Sequence, residues 1–261
     1  MSAPDAVRRL AQLILRSART VALTGAGVSV PSGIPDFRSP ESGLWERVDP
    51  MEVAHIDVFR RDPERFWGFY GQRFQALEDK RPNRAHEVLA QLERAGLLHA
   101  VITQNIDGLH GAAGTRELVE VHGTIARSSC LRCGASYPLA EVRARQAADQ
   151  RDVPRCDCSE PLKPDVVLFG EYLPAVAFER AQRLADQAQL MLCVGSSLKV
   201  YPVAELPLRT LARGGQLAII TRGATLLDGR AASRLDGDVV DELEAVWAEV
   251  QARRYSPAGS G

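Results

Sequence analysis

Five short apolar runs, "TVALTG" (20–25), "HAVITQN" (99–105), "DVVLFG" (165–170), "LMLCVG" (190–195) and "QLAIIT" (216–221), constrain this chain more than any other feature. Each reads as a strand covered on both faces, and the helical patterns between them supply the crossovers of a parallel α/β sheet. A helix is expected from Pro82 to Gly96 with Ala85, Val88, Leu89 and Leu92 inward, and another after Asp238 with Val239, Leu243, Val246 and Val250 inward. An N-terminal helix carries the stripe Val7, Leu10, Ile14 and Leu15. Two segments break the alternation, roughly 39–80 and 126–162, and the second holds four of the five cysteines.

Several classes of function fall away on charge and hydropathy. Acidic and basic residues nearly cancel, 33 against 32, so no overall field draws the chain to nucleic acid or to an anionic membrane. No apolar run approaches the roughly 18 residues of a spanning helix, and the first residues lack the apolar core and cleavage site of a signal peptide. The expectation is a soluble cytoplasmic protein with no direct nucleic-acid or membrane partner. Five cysteines in 261 residues are too few for a disulfide scaffold.

Strand ends carry the chemistry. "VALTGAGVSVPSGIPDFR" opens like a dinucleotide-binding turn at Gly25 and Gly27, but position 30 is Val, and Pro31, Gly33 and Pro35 stand where a dehydrogenase would start its helix. The turn is therefore expected to feed a loop over a ligand. "ITQNIDGLH" leaves another strand with Gln104, Asn105, Asp107 and His110, and "VEVHGT" puts His122 before a glycine. Amide, carboxylate and imidazole groups at such ends make a candidate polar site. His55, His86 and His99 are read as structural, and His110 is left between the two roles.

Cys130 and Cys133 form a C-x-x-C pair, followed 23 positions after Cys133 by Cys156 and Cys158. Two close pairs at this separation read as four thiolate ligands of one structural zinc ion, although the second pair is the shorter C-x-C. Cys193, alone in an apolar run, is read as core.

Taken together, "GAGVSVPSGIPDFR" (25–38), "QNIDGLH" (104–110), "HG" (122–123), the cysteine pairs, "KPDVVLFGE" (163–171) and "GSSLKVYP" (195–202) resemble the sirtuin (Sir2) family, in family order over nearly the whole chain. The resemblance implies an α/β Rossmann-like parallel sheet domain with a small zinc-binding domain and a helical insertion. It divides a single catalytic domain, 1–261, into a core of about 1–38, 81–125 and 163–255, a cofactor loop and helical segment at 39–80, and a zinc module at 126–162. It also implies an NAD-dependent protein lysine deacylase of bacterial type, in which the acyl oxygen attacks the nicotinamide ribose, nicotinamide leaves and the acyl group ends on ADP-ribose. Acylated lysine side chains of proteins are the implied partners, NAD the cosubstrate and one Zn2+ the structural metal.

By the same resemblance His122 is the general base, and Gly25, Ala26, Gly27, Ser29, Asp36, Phe37, Arg38, Gln104, Asn105, Ile106, Asp107, Gly195, Ser196 and Ser197 surround NAD. Thr221 stands where the family usually has Asn at the adenosine ribose, and Val239 at a position usually small near adenine. Val167, Phe169, Gly170 and Glu171 are expected to hold the substrate peptide. Protein mono-ADP-ribosylation by the same pocket, or NAD sensing without catalysis, remain as alternatives.

One segment resists the simple reading. "RFWGFYGQRF" (65–74) has helical spacing of Phe66, Phe69, Tyr70 and Phe74, and on that wheel Arg73 falls inside the apolar arc completed by Leu77. Either its head snorkels to water, or it waits for an anion. Relatives that remove succinyl or malonyl groups carry such a Tyr-x-x-Arg pair and a small alanine, which Tyr70, Arg73 and Ala54 match; guanidinium suits a carboxylate because it forms two parallel hydrogen bonds. Deacetylation, with desuccinylation or demalonylation beside it, is the resulting expectation.

Overall fold

The computed structural model describes residues 3–36 and 49–255, so Phe37 and Arg38 lie outside the described residues. The described strands are β1 (Thr20–Thr24), β2 (Ala100–Thr103), β3 (Leu118–Glu120), β4 (Gly123–Cys130), β5 (Ser136–Pro138), β6 (Leu162–Val166), β7 (Leu190–Val194), β8 (Gln216–Ile220) and β9 (Ser233–Leu235). Six of them form one parallel sheet in the order β3-β2-β1-β7-β8-β9, and β5-β4-β6 form a separate antiparallel sheet.

Alternate residues of the central strands serve opposite faces. Ala22, Leu190, Leu192, Val194, Ala218 and Ile220 face helices α1 (Ala3–Arg16), α5 (Arg84–Arg94) and α10 (Val239–Tyr255), which close one side. Val21, Leu23, Met191, Cys193, Leu217 and Ile219 face the other side, closed by α8 (Ala175–Gln187) and α9 (Leu206–Ala212). A side chain such as Leu192, fully withdrawn from water, contributes about 2 kcal/mol of transfer free energy. This two-sided burial is why the runs lack polar alternation. Cys193 is core, as its setting suggested.

The helices follow their sequence signals with small shifts. Asn83 caps α5 through the Ala85 amide, while the His86 ring accepts from the Asn83 amide, a reciprocal capping box. Ala85, Val88, Leu89 and Leu92 are buried, as are Val239, Leu243, Val246 and Val250 in α10. In α1 the buried face is Ala6, Leu10, Ala11 and Ile14; Val7 and Leu15 are only partly covered. Small alanines let that helix approach the sheet.

The run 165–170 departs from expectation. Its first residues belong to β6, which pairs antiparallel with β4 and takes no place in the parallel sheet. Pro164 has no amide to give a ladder, and β6 is an edge strand where that is tolerated. Residues 167–170 run on outside any named strand, fixed instead by Val167 N–H to the His122 carbonyl (2.9 Å) and Phe169 N–H to the Ala54 carbonyl (2.9 Å).

A third apolar cluster joins the two segments that interrupt the sheet. Helices α2 (Pro50–Val53), α3 (Ile56–Arg61) and α4 (Pro63–Glu78) precede α5, α6 (Leu109–Ala112) follows β2, and α7 (Leu139–Ala148) follows β5. Phe59, Phe66, Trp67 and Phe74 from α3 and α4 pack with Cys130, Tyr137, Val142, Val153, Cys156 and Leu162 of the cysteine-bearing segment. The Trp67 indole donates to the Leu162 carbonyl at 3.0 Å, and Arg143 of α7 donates to the Gly71 carbonyl of α4 at 3.2 Å. Among the described residues no helix is long and apolar enough to cross a membrane.

Candidate functional site

Strand order reverses between β1 and β7, since β2 follows β1 on one side and β7 pairs with it on the other. Open α/β sheets bind ligands in the crevice this creates beyond the strands' carboxyl ends. Gly25 and Gly27 follow β1 there, and Gly195 follows β7. A Cβ on Gly27 would lie 2.8 Å from both the Cα and the carbonyl oxygen of Gly195, and Gly195 itself has φ +60. The glycines thus let two main chains touch. Instead of an α-helix, two short 3-10 turns follow, Ala26–Val28 and Val30–Ser32.

This meeting leaves donors. Gly25 N–H bonds the Val194 carbonyl, Gly27 N–H the Gly195 carbonyl and Gly195 N–H the Ile220 carbonyl. The amides of Ala26, Ser196 and Ser197 have no acceptor among the described residues. Converging main-chain amides around glycines are an anion cradle, and this donor set fits the pyrophosphate of a dinucleotide.

Beneath the cradle lies a buried polar network. Asn105 Nδ2 donates to the Gly25 carbonyl (3.2 Å) and to Ser29 Oγ (3.0 Å), and Ser29 Oγ donates to Asp107 Oδ2 (2.7 Å). Asp107 Oδ1 accepts the Leu109 amide. His86 Nδ1 accepts from Asn83, so Nε2 is its donor, toward Ser29 Oγ at 3.4 Å. The Thr24 hydroxyl gives its proton to Thr103, so His110 Nε2 donates to Thr24 at 2.9 Å. Both rings are neutral: desolvation, opposed by Asp107, lowers His86 to about 4, and desolvation, aided by His86, lowers His110 to about 3. His86 was read as structural; it is that, and it also touches Ser29.

His122 sits at the exit of β3, half-buried, with Nδ1 donating to the Gln104 carbonyl at 3.0 Å. A carbonyl only accepts, so Nδ1 carries the proton and Nε2 presents its lone pair, the tautomer a general base needs. Gln104 in turn donates through Nε2 to Ser196 Oγ at 2.9 Å. Gly123, at φ +76, could not carry a side chain, because a Cβ would lie 2.0 Å from the Asp165 carbonyl oxygen. Ile106 is half-buried, its carbonyl holding the Ile125 amide, and Asp36 is half-buried.

Thr221 directly follows β8 and is buried, its amide bonded to the Leu235 carbonyl. Val239 is packed into the core beside α1 and α5. Glu171 turns inward: its carboxylate accepts the Leu168 amide and the Lys163 ammonium, each at 2.9 Å. His55 caps α3, and its ring lies against Gly170 (φ +84).

Arg73 is not aimed at the core. The buried arc of α4 is Phe66, Trp67 and Phe74 with Tyr70 partly covered, while Arg73 is exposed at its edge. Its guanidinium lies 3.7 Å over the Phe69 ring and donates to the Phe69 carbonyl at 2.6 Å. Trp67 takes the inward place that the wheel left to Arg73. Tyr70 stacks on Phe74 with centroids 5.2 Å apart, and burial pushes its phenol well above the usual range. Ala54 is buried, its carbonyl accepting the Phe169 amide.

The sulfurs of Cys130, Cys133, Cys156 and Cys158 all lie within 4.8 Å of one another, with Cys130–Cys158, Cys133–Cys156 and Cys133–Cys158 at 3.5, 3.4 and 3.7 Å. A tetrahedral zinc with Zn–S of about 2.3 Å separates its sulfurs by about 3.8 Å, so the set fits that ion. Four thiolates would complete a tetrahedral site and leave no position open for a substrate. The Tyr137 hydroxyl meets Cys156 at 3.3 Å, and the Arg145 guanidinium covers the Tyr137 ring.

The Sir2 family pattern matches residues 25–202. An NAD-dependent protein deacetylase of Sulfolobus acidocaldarius is 47% identical over 224 residues, covering 86% of this chain and 87% of that one. One from Thermotoga maritima is 42% identical over 244 residues, covering 93% and 98%. The solved complex of a Sir2 protein with p53 peptide and NAD+ superposes with TM-score 0.84 at 43% identity, covering 91% of this chain and 95% of that one.

Proposed function

The chain belongs to the Sir2 family, and we propose that it is an NAD-dependent protein lysine deacetylase acting on acyl-lysine side chains. The observation that carries this is the His122 Nδ1 bond to the Gln104 carbonyl, which sets a basic Nε2 beside the strand ends that bear Asn105 and the glycine cradle.

In this reading NAD supplies an electrophilic ribose carbon whose bond to nicotinamide is broken. The amides of Ala26, Ser196 and Ser197 bind its phosphates, and Gly25, Gly27 and Gly195 keep them accessible. Asn105, Ser29 and Asp107, locked in one network, orient the nicotinamide and its ribose; rigid partners avoid reorganisation during reaction. His122 Nε2 takes a ribose hydroxyl proton, the task of a general base held in place by its other ring nitrogen. The Thr221 hydroxyl, which donates to the Arg222 carbonyl at 3.5 Å, offers an acceptor at the adenosine end. The Val167 carbonyl and the Gly170 main chain pair with the extended peptide, giving little sequence demand, while Phe169, whose amide and carbonyl already bond Ala54 and Ile56, meets it through its exposed side chain. The zinc ion holds the module that supports α4.

Removal of acidic acyl groups is the second reading. An exposed guanidinium at Arg73, one turn from Tyr70, favours it, though that guanidinium already holds the Phe69 carbonyl and ring. A succinyl or malonyl carboxylate would have to draw it away. The deacetylase reading is tested with His122→Ala, which should bind NAD yet release no free lysine from an acetyl-lysine peptide. Turnover of that variant at the wild-type rate would end the assignment.

A further inference from the structure

Lys163 is 7% exposed, and its partners account for the burial of its charge. The ammonium donates to the Pro164 carbonyl (3.1 Å), the Val166 carbonyl (2.8 Å) and Glu171 Oε2 (2.9 Å), which uses all three of its N–H groups. Glu171 Oε2 also accepts the Leu168 amide, and the Glu171 amide bonds the Leu168 carbonyl at 3.0 Å. An ion pair between buried Lys163 and half-buried Glu171 therefore grips residues 164, 166 and 168. Those contacts fix the segment between them, 167–170, which has no ladder of its own and reaches the protein elsewhere through His122, Ala54 and Ile56.

A buried charge pair stabilises less than its contacts suggest, because desolvation offsets most of the attraction. Stability alone is thus a poor reason for this arrangement. We infer that the Lys163–Glu171 pair is a positioning device that presents the main chain of residues 167–170 to the acylated peptide, so that Glu171 acts on the substrate only through that strand. The inference rests on the proposed pairing of this segment with the peptide. It assigns Lys163 a part in substrate affinity and moves Glu171 from contact residue to support.

Binding of an acetyl-lysine peptide and of NAD, each by titration calorimetry, separates the possibilities. Losing the clamp frees about one residue's worth of backbone, so Lys163→Met should weaken the peptide about tenfold, with NAD affinity changed by less than about twofold. Lys163→Arg, which keeps a multivalent donor, should recover most of the loss. Glu171→Ala should resemble Lys163→Met, and the double variant should lose no more than the worse single, since each removes the same contact. A merely structural pair would lower the melting temperature and weaken both ligands alike, and that result overturns the inference. A peptide methylated on the backbone nitrogen of the acyl-lysine and its neighbours tests the underlying pairing. If methylation costs wild-type binding nothing, pairing and inference fall together. If methylation weakens wild type but Lys163→Met binds the unmodified peptide normally, the clamp alone is wrong.

Discussion

Gly27→Ala should damage this protein out of proportion to one methyl group. The new Cβ would stand 2.8 Å from Gly195 Cα and 2.8 Å from its carbonyl oxygen, both main-chain atoms that no rotamer change can move. Carbon atoms rest about 3.5–4.0 Å apart, so the β1 and β7 turns must part by roughly 0.7–1.2 Å. The 2.8 Å bond from Gly27 N–H to the Gly195 carbonyl stretches with them. Overpacking of this kind costs about 1–3 kcal/mol, reduced by about 0.4–1 kcal/mol of unfolded-state entropy that alanine removes. A net loss of about 1–2 kcal/mol should appear in urea denaturation as a lower midpoint with unchanged slope. The functional effect should be larger, because the amides of Ala26, Ser196 and Ser197 are carried on the two displaced turns; a shift of about 1 Å in a positioned group costs up to about a hundredfold in rate. NAD titration and deacetylation kinetics measure it. Gly68→Ala is the control: nothing lies within 4 Å of that Cβ and it sits in the interior of α4, so it should gain about 0.5–1 kcal/mol. Wild-type stability and NAD affinity in Gly27→Ala would refute the account of the cradle.

Three further outcomes are expected. Arg73→Met should leave the acetyl-lysine rate near wild type and abolish any succinyl or malonyl activity; an unchanged succinyl rate would remove Arg73 from acyl recognition. Chelating the zinc should lower the melting temperature and loosen α4 as well as the cysteine module, because Cys130 and Cys156 share a core with Phe66, Trp67 and Phe74; tryptophan fluorescence from Trp67 reads this, and an unchanged spectrum would separate the two. His86 and His110 resist protonation in the fold, with values of about 4 and 3 against an ordinary 6.5. The unfolded chain therefore binds more protons as pH falls from about 6.5, and stability present above that pH is lost toward pH 4 at about 1.4 kcal/mol per pH unit for each ring. Urea denaturation at pH 7, 6 and 5 should show a shallower pH slope in His110→Phe than in wild type, and equal slopes would contradict the buried neutral pair.

How far the sequence foretells this structure varies with the physical reason for each element. Runs buried on both faces by covering helices, such as 190–195 and 216–221, announce themselves by composition alone. β3 and β9, three residues each, are too short to carry a pattern and gain their places only from β2 and β8. The run 165–170 looked like another parallel strand because burial writes the same apolar signature whichever sheet supplies it. The cysteine spacing indicated metal because ligand geometry is local. Arg73 was misplaced by a wheel that weighed neighbours equally, whereas Trp67 outweighs it in buried area and leaves it at the rim. The grip of Lys163 on Glu171 had no sequence signal beyond eight residues' separation, and the contact of His86 with Ser29 joins positions 57 apart.

The central claim is that this chain transfers an acyl group from lysine to ADP-ribose. Incubating the zinc-loaded protein with NAD and an acetyl-lysine peptide, and following both products by mass spectrometry, tests it most directly. The account predicts free lysine peptide, nicotinamide and O-acetyl-ADP-ribose in equal amounts, all absent without NAD. Nicotinamide release with ADP-ribose attached to protein and the acetyl group still on lysine would contradict it.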